Sequence, residues 1–160
     1  MPIEAAEFRA ALALRAGGVA VVTARAGERV HGMTVTDFAG VSLAPPLVLV
    51  CADKKSNTLP LIESGGNFAV NLLAAGQEAL SDRFASKQDE WRRFEGLACE
   101  TSATGAPLIV GALVGLACRV VAMHDAGDHV IVVGEVEQVL CAEASPLVYF
   151  AGGYRRLAPV

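Results

Sequence analysis

No run of this sequence stays apolar for long enough to cross a bilayer. The longest, such as Pro45–Ala52, fall well short of the roughly 20 residues that a spanning helix takes. The N-terminus lacks a basic patch followed by an apolar stretch and a cleavage site, so no signal peptide is expected and the location reads as cytoplasmic. Charge is scarce as well, at 19% of residues, with a net charge of −4 and a pI of about 5.3. That balance excludes a general nucleic-acid binder, so any basic patch must act locally on an acidic protein. No two of the four cysteines form a CxxC pair. Cys51, Cys99, Cys118 and Cys141 are therefore expected as buried free thiols of a reducing compartment, with neither zinc-binding nor nucleophilic character. HExxH, a Walker loop, a Ser-His-Asp order with its elbow and a paired-carboxylate setting are all missing, which leaves hydrolase and kinase chemistry without support. The Gly-rich strand-to-helix fingerprint of a Rossmann unit, internal repeats and low-complexity tracts are missing too.

What the chain does have is apolar bulk. Apolar residues make up 53% of the 160, above the roughly 45–50% of an ordinary domain. A chain of this size buries a core without disulfides or metal, and the excess hints at a subunit interface. One domain, 1–160, is the expectation. Ile3–Arg15 has helical spacing, stopped by Gly17-Gly18. Val19–Ala24 and Arg29–Thr36 read as strands around the Ala26-Gly27-Glu28 turn. Val41–Leu43 leads to Pro45-Pro46, where the prolines should break any regular ladder. Leu47–Cys51 is a short continuous apolar run, expected as a strand buried on both faces. A helix capped by Ser56 or Asn57 should run to about Glu63, with Pro60 in its first turn. Asn67–Leu73 is a strand and Gln77–Ala85 a helix. Ser86–Thr104, polar and irregular, reads as a surface excursion or lid. Ala112–His124 and His129–Cys141 form the clearest hairpin, and Pro146–Phe150 a last strand. Short strands with a few helices suggest a mainly β, barrel-like fold with peripheral helices.

The stretch His31–Thr58 organises the rest. A polar strand, a loop of small residues and a buried strand lead to a turn holding Lys54, Lys55, Ser56 and Thr58 at a helix start. Lysines, hydroxyls and free backbone N–H groups there suit an anion such as phosphate. The same residues also serve as an ordinary loop and cap. Thr34, Thr36 and Ser42 offer hydroxyls upstream, so the two ends together match the shape of a nucleotide-like cofactor. His129 can handle a proton or contact a nicotinamide, or simply face solvent at a strand start. His31 suits the rim of the opening stretch, and His124 the surface. Asp37 fits a ligand contact or a turn. Tyr154 fits a ring stack or plain packing. Arg83 fits a phosphate contact or a surface ion pair with Asp82 or Glu78.

The string GMTVTDF…VSLAPPLVLVCADKKSNT, followed in order by NFAVNLL, RFA, GDH and PLVYFAGGYRRL, resembles the short-chain flavin reductases. These are reductase components of two-component flavin monooxygenases, in the FMN-binding split-barrel group. The resemblance spans roughly Phe8 to Leu157. It implies a homodimeric split β-barrel that uses NADH or NADPH to reduce FMN or FAD for an oxygenase partner. By position it implies that Thr34, Val35, Thr36 and Asp37 line the isoalloxazine edge, with Ser42 and Leu43 approaching from the next loop. Cys51, Ala52 and Asp53 would pass along the ribityl chain. Lys55, Ser56 and Thr58 would hold the phosphate, and Arg83 and Phe84 would close the site. Asn71 would contribute from the NLL strand, and His129 and Tyr154 would face the nicotinamide. At position 37 the family more often carries serine. Asp37 beside a ring that turns anionic on reduction is repulsive unless it is turned away or protonated. Ala39-Gly40 loosens the same loop and removes a possible hydroxyl. Two other readings share the fold: a non-enzymatic flavin or electron carrier, and a split barrel like pyridoxamine-phosphate oxidase or a haem-related one.

Overall fold

A computed structural model describes residues 3–158. In chain order it holds α1 (Ala5–Leu12), β1 (Gly17–Gly18), β2 (Ala20–Ala26), β3 (Arg29–Val35), β4 (Phe38–Leu43), β5 (Pro46–Asp53), α2 (Leu59–Gly65), β6 (Asn67–Leu72) and α3 (Glu78–Ala85). There follow a single 3-10 turn (Glu90–Arg92), β7 (Cys99–Thr101), β8 (Pro107–Ile109), β9 (Val114–Ala126), β10 (His129–Cys141), β11 (Val148–Phe150) and β12 (Gly153–Arg155). The fold is mainly β with few helices.

Seven strands form one antiparallel sheet in the order β3-β2-β6-β9-β10-β5-β4. Val22 and Met33 near one end of that order share a single core cluster with Val48, Val50 and Ala52 near the other. The sheet therefore curls so that its two ends enclose the same apolar interior. Leu59, Leu61 and Ile62 of α2 are buried in that cluster. In β10, Gly134 is a packing requirement: a Cβ there would lie 2.5 Å from the Phe68 ring, which is fully buried.

Several expectations change. The prolines do not break the ladder. Ala44-Pro45 is the turn of a hairpin in which Leu43 pairs with Pro46 and β4 runs alongside β5. Pro46 is tolerated because it starts its strand. β5 is not buried on both faces: Val48, Val50 and Ala52 are buried, while Leu47, Leu49 and Cys51 on the alternate face are half-buried. α1 ends at Leu12 with no residue buried, three residues short of Arg15. Arg15 instead reaches Asp37 and the Thr36 carbonyl. The excursion after α3 is anchored. Its Arg93 is 3% exposed, and Phe94 meets Phe84 edge-on at 5.2 Å between centroids. The four thiols are free, but only Cys118 is buried; Cys99 and Cys141 are exposed and Cys51 half-buried. Burial, with Glu137 adding, pushes the Cys118 thiol up to about 12. Among the described residues, no helix is long and apolar enough to cross a membrane.

Candidate functional site

The β3–β4 connection, the end of β5 and the start of β10 are brought together by pairing. His129 sits opposite Asp53, and the Cys51 N–H donates to the Asp37 carbonyl at 3.2 Å. Beside them is a cleft of about 300 Å³. Thr34, Val35, Thr36, Asp37, Cys51, Asp53, Ser56, Phe84 and His129 line it. A second cavity of about 370 Å³ shares Thr34, Thr36 and Ala85 with it and adds Tyr154.

At the turn after β5 the hydroxyls divide. Ser56 Oγ donates only to the Met33 sulfur, at 3.1 Å, and accepts the Thr58 N–H at 3.0 Å. Sulfur is a weak acceptor, so that proton can turn to an anion. Thr58 is fully buried, and its Oγ1 lies 2.8 Å from His31 Nδ1. His31 Nε2 in turn lies 3.1 Å from Glu90. Burial, then Arg93 and Lys87 against the opposing pull of Glu90, hold His31 below its ordinary value, so the ring is neutral. With Nε2–H on Glu90, Nδ1 accepts and Thr58 must donate to it. Thr58 therefore faces away from the cleft. It occupies the N-cap position expected for Ser56 or Asn57, without a side-chain cap bond. Lys54 pairs with Asp125 across the hairpin. Lys55 is exposed, and its N–H is held by Asp53 at 2.7 Å.

Other candidates lie elsewhere. Asn71 is fully buried in the sheet, donating to the Val21 carbonyl and accepting the Ile109 N–H. Ala52 faces the core. Ser42 is half-buried on β4, and Leu43 is 97% exposed at the hairpin end. Arg83 turns toward the excursion and donates to the carbonyls of Arg92 and Glu95. Tyr154 reaches Ser81 and Asp82 of α3 with its hydroxyl; burial and Asp82 raise its pKa. Burial, with Asp37 adding, holds the Cys51 thiol above its ordinary range, so it stays protonated. Asp37 itself is paired with Arg15 at 2.8 Å. His129 Nδ1 lies 2.8 Å from Asp128, whose carboxyl is lowered chiefly by that bond. In the neutral ring that contact puts the proton on Nδ1 and leaves Nε2 as an acceptor.

Sequence reasoning missed Met33, Ala85, Lys87 and Arg93, which also line the cleft. The first two look like plain strand and helix residues. Lys87 and Arg93 fall in the irregular excursion. The basic residues next to RF in Arg93-Phe94 echo RFA at Arg83–Ala85, which was the one signal available.

The model of the flavin reductase like domain matches residues 13–158. The chain belongs to that family. Over 151 residues it is 48% identical to the reductase component of 4-hydroxyphenylacetate 3-monooxygenase from Thermus thermophilus, covering 94% of this chain and 95% of that protein. It is 42% identical over 151 residues to the FMN reductase (NADH) SmoA of Agrobacterium fabrum, covering 94% of this chain and 85% of that one. Among solved structures, the NADH:FAD oxidoreductase SgcE6 of Streptomyces globisporus, in complex with NAD and FAD fragments, superposes with a TM-score of 0.89. The two are 34% identical, and the match covers 96% of this chain and 93% of that one.

The family's ligand can be tested against the residues present. A flavin needs a flat slot with hydrogen bonds at one end and phosphate donors at the other. The cleft lining combines Thr36 and Asp37 with Ser56, Lys87 and the buried Arg93. Arg93 Nε is buried without a partner. The residues fit the group.

Proposed function

We propose that this flavin reductase family member uses NADH or NADPH to reduce free FMN or FAD, and passes the reduced flavin to a flavin-dependent monooxygenase component. The observation that carries the reading is the convergence on one cleft of Thr34–Asp37, Cys51, Asp53, Ser56 and His129, drawn from segments far apart in sequence. When bound, the flavin supplies the hydride acceptor. The chain's own groups bind and orient. Ser56 and Lys55, with Lys87 from the excursion, hold the phosphate. The Cys51 thiol, kept protonated, puts no charge beside the ring. The Arg15 guanidinium neutralises Asp37 at the edge where negative charge builds up on reduction. His129, its tautomer set by Asp128, offers Nε2 to the carboxamide of a nicotinamide. That is an orienting role, because hydride transfer needs no side-chain proton.

The reading takes the chain as one domain with a split-barrel sheet, working as a cytoplasmic homodimer without membrane or nucleic-acid partners. Exposed apolar side chains support the dimer. α1 buries none of its residues, leaving Phe8 and Leu12 open, and Val41, Leu43, Val139 and Leu140 are exposed on the sheet. Four free thiols suit a reducing compartment. The test is purified protein with NADH or NADPH and FMN or FAD, followed at the nicotinamide absorbance. Flavin-dependent oxidation is expected; its absence with every pair ends the reading.

A further inference from the structure

Glu90 opens the single 3-10 turn and is outside the cleft lining. Yet the two cations that the excursion brings to the cleft, Lys87 and Arg93, are both paired with it. Its Oε1 lies 3.8 Å from Lys87 Nζ, and its Oε2 lies 3.4 Å from Arg93 Nη1. The same Oε2 accepts the Asn57 amide at 3.0 Å and lies 3.1 Å from His31 Nε2. One carboxylate thus joins three parts of the chain: the excursion, β3 through His31, and the turn after β5 through Asn57. Asn57 is the neighbour of Ser56, which the flavin reading places on the phosphate.

The burial of Arg93 makes this contact matter. The side chain is 3% exposed. Its Nη1 donates to the Gly32 carbonyl and its Nη2 to that of Ser86, but carbonyls do not neutralise its charge. Among the described residues, Glu90 is the one carboxylate paired with it. Removing one partner of a buried ion pair leaves an uncompensated charge, which draws the other partner toward water. The Glu90 carboxyl is held below its usual range, chiefly by the Asn57 hydrogen bond, with desolvation opposing and Arg93 and Lys87 adding, so it is ionised. Asp89, the residue before it, holds φ at +50°. A residue other than glycine keeps that conformation only where its surroundings hold it.

We propose that Glu90 is a positioning residue for the flavin phosphate. It ties the excursion to the turn after β5 and so keeps Lys87 and Arg93 in the cleft lining, without touching the flavin itself. The proposal rests on the flavin reading above. A carboxylate beside two cations could instead compete with a phosphate for them. The burial of Arg93 decides against that: without Glu90 the guanidinium leaves its place, and the excursion that carries Lys87 goes with it.

The test compares the full-length protein with Glu90→Ala, Glu90→Gln and Asn57→Ala. KM and kcat are measured with NADH in excess, for FMN and for riboflavin, which lacks the phosphate. Trp91, the only tryptophan and the residue after Glu90, reports the docking of the excursion by its emission anisotropy. Glu90→Ala is expected to raise the KM for FMN about tenfold, as for the loss of a charge-assisted contact, with kcat and the KM for riboflavin changed less than about twofold. The Trp91 anisotropy should fall. Glu90→Gln keeps the shape and an acceptor for Asn57 but offers Arg93 and Lys87 no charge, so it should show most of the same loss. Asn57 is exposed, and Asn57→Ala leaves both ion pairs in place, so this variant serves even where loss of Glu90 prevents folding. A rise of about threefold in the KM for FMN alone is expected of it. Equal rises for FMN and riboflavin, full recovery in Glu90→Gln, or a lower KM for FMN in the variants each overturns the positioning role and leaves the flavin reading standing. Failure of the wild-type protein to bind or reduce FMN overturns both.

Discussion

Thr58 Oγ1 lies 2.8 Å from His31 Nδ1, and that contact removes its proton from the cleft. Ser56, two residues earlier, keeps a proton that only a sulfur now accepts. The two hydroxyls look equivalent in sequence and should behave differently. Ser56→Ala is expected to raise the flavin KM about tenfold with little change in kcat, since a charge-assisted bond to phosphate is lost. Thr58→Ala should cost about 1–2 kcal/mol of stability by leaving the part-buried His31 Nδ1 unpartnered, with a smaller effect on KM. Steady-state kinetics and urea unfolding of the two variants check this; equal KM effects would contradict it.

Arg15 and Asp37 are paired at 2.8 Å, both more than half exposed. Arg15→Ala leaves a bare carboxylate at the cleft. Reduced flavin should then bind about two- to fivefold more weakly, oxidised flavin hardly less, and the difference should shrink with added salt. Titration of both redox states at two ionic strengths measures it.

His31 gives a pH dependence whose sign follows from its lowered pKa. Burial is the main cause, ahead of Arg93, and the reference value is 6.5. Below 6.5 the unfolded chain takes the proton first, so it holds more protons than the folded one. This contribution to stability is complete above 6.5 and is lost as pH falls from there through the folded pKa. Urea midpoints between about pH 8 and 5 should drop in the wild type. The drop should be shallower in His31→Gln, whose amide can still donate to Glu90.

Gly32 has no room for a methyl group. A Cβ there would meet Phe84 Cε1 at 2.8 Å and the Val22 carbonyl at 3.1 Å. Gly32→Ala should push Phe84 toward the cleft it lines. Overpacking of this kind costs about 1–3 kcal/mol. A lower Tm together with weaker flavin binding is expected; a lower Tm with unchanged binding would separate Phe84 from the site.

The elements legible in the sequence were those set by neighbouring residues. β9 and β10 alternate, and Gly127, at φ +64°, supplies the left-handed turn that joins them. β2, β3, β6 and α3 were legible for the same reason, as period and punctuation are local. Within the site, Thr34–Asp37, Cys51, Asp53, Ser56, Phe84 and His129 were named from an ordered set of motifs, and all of them line the cleft.

Side-chain partners were not legible. Asn71 stands in a matching motif, yet its amide is consumed by backbone across the sheet. Thr58 and Arg83 carry suitable groups whose protons go to His31 and to excursion carbonyls. Lys87 and Arg93 reach the cleft from a segment with no period to read. The sequence alone determined the strands, the turns and the family, because these depend on residue type and spacing along the chain. Only the tertiary structure decided which polar groups remain free for a ligand, because a hydrogen bond made across the fold spends a donor that no local pattern records.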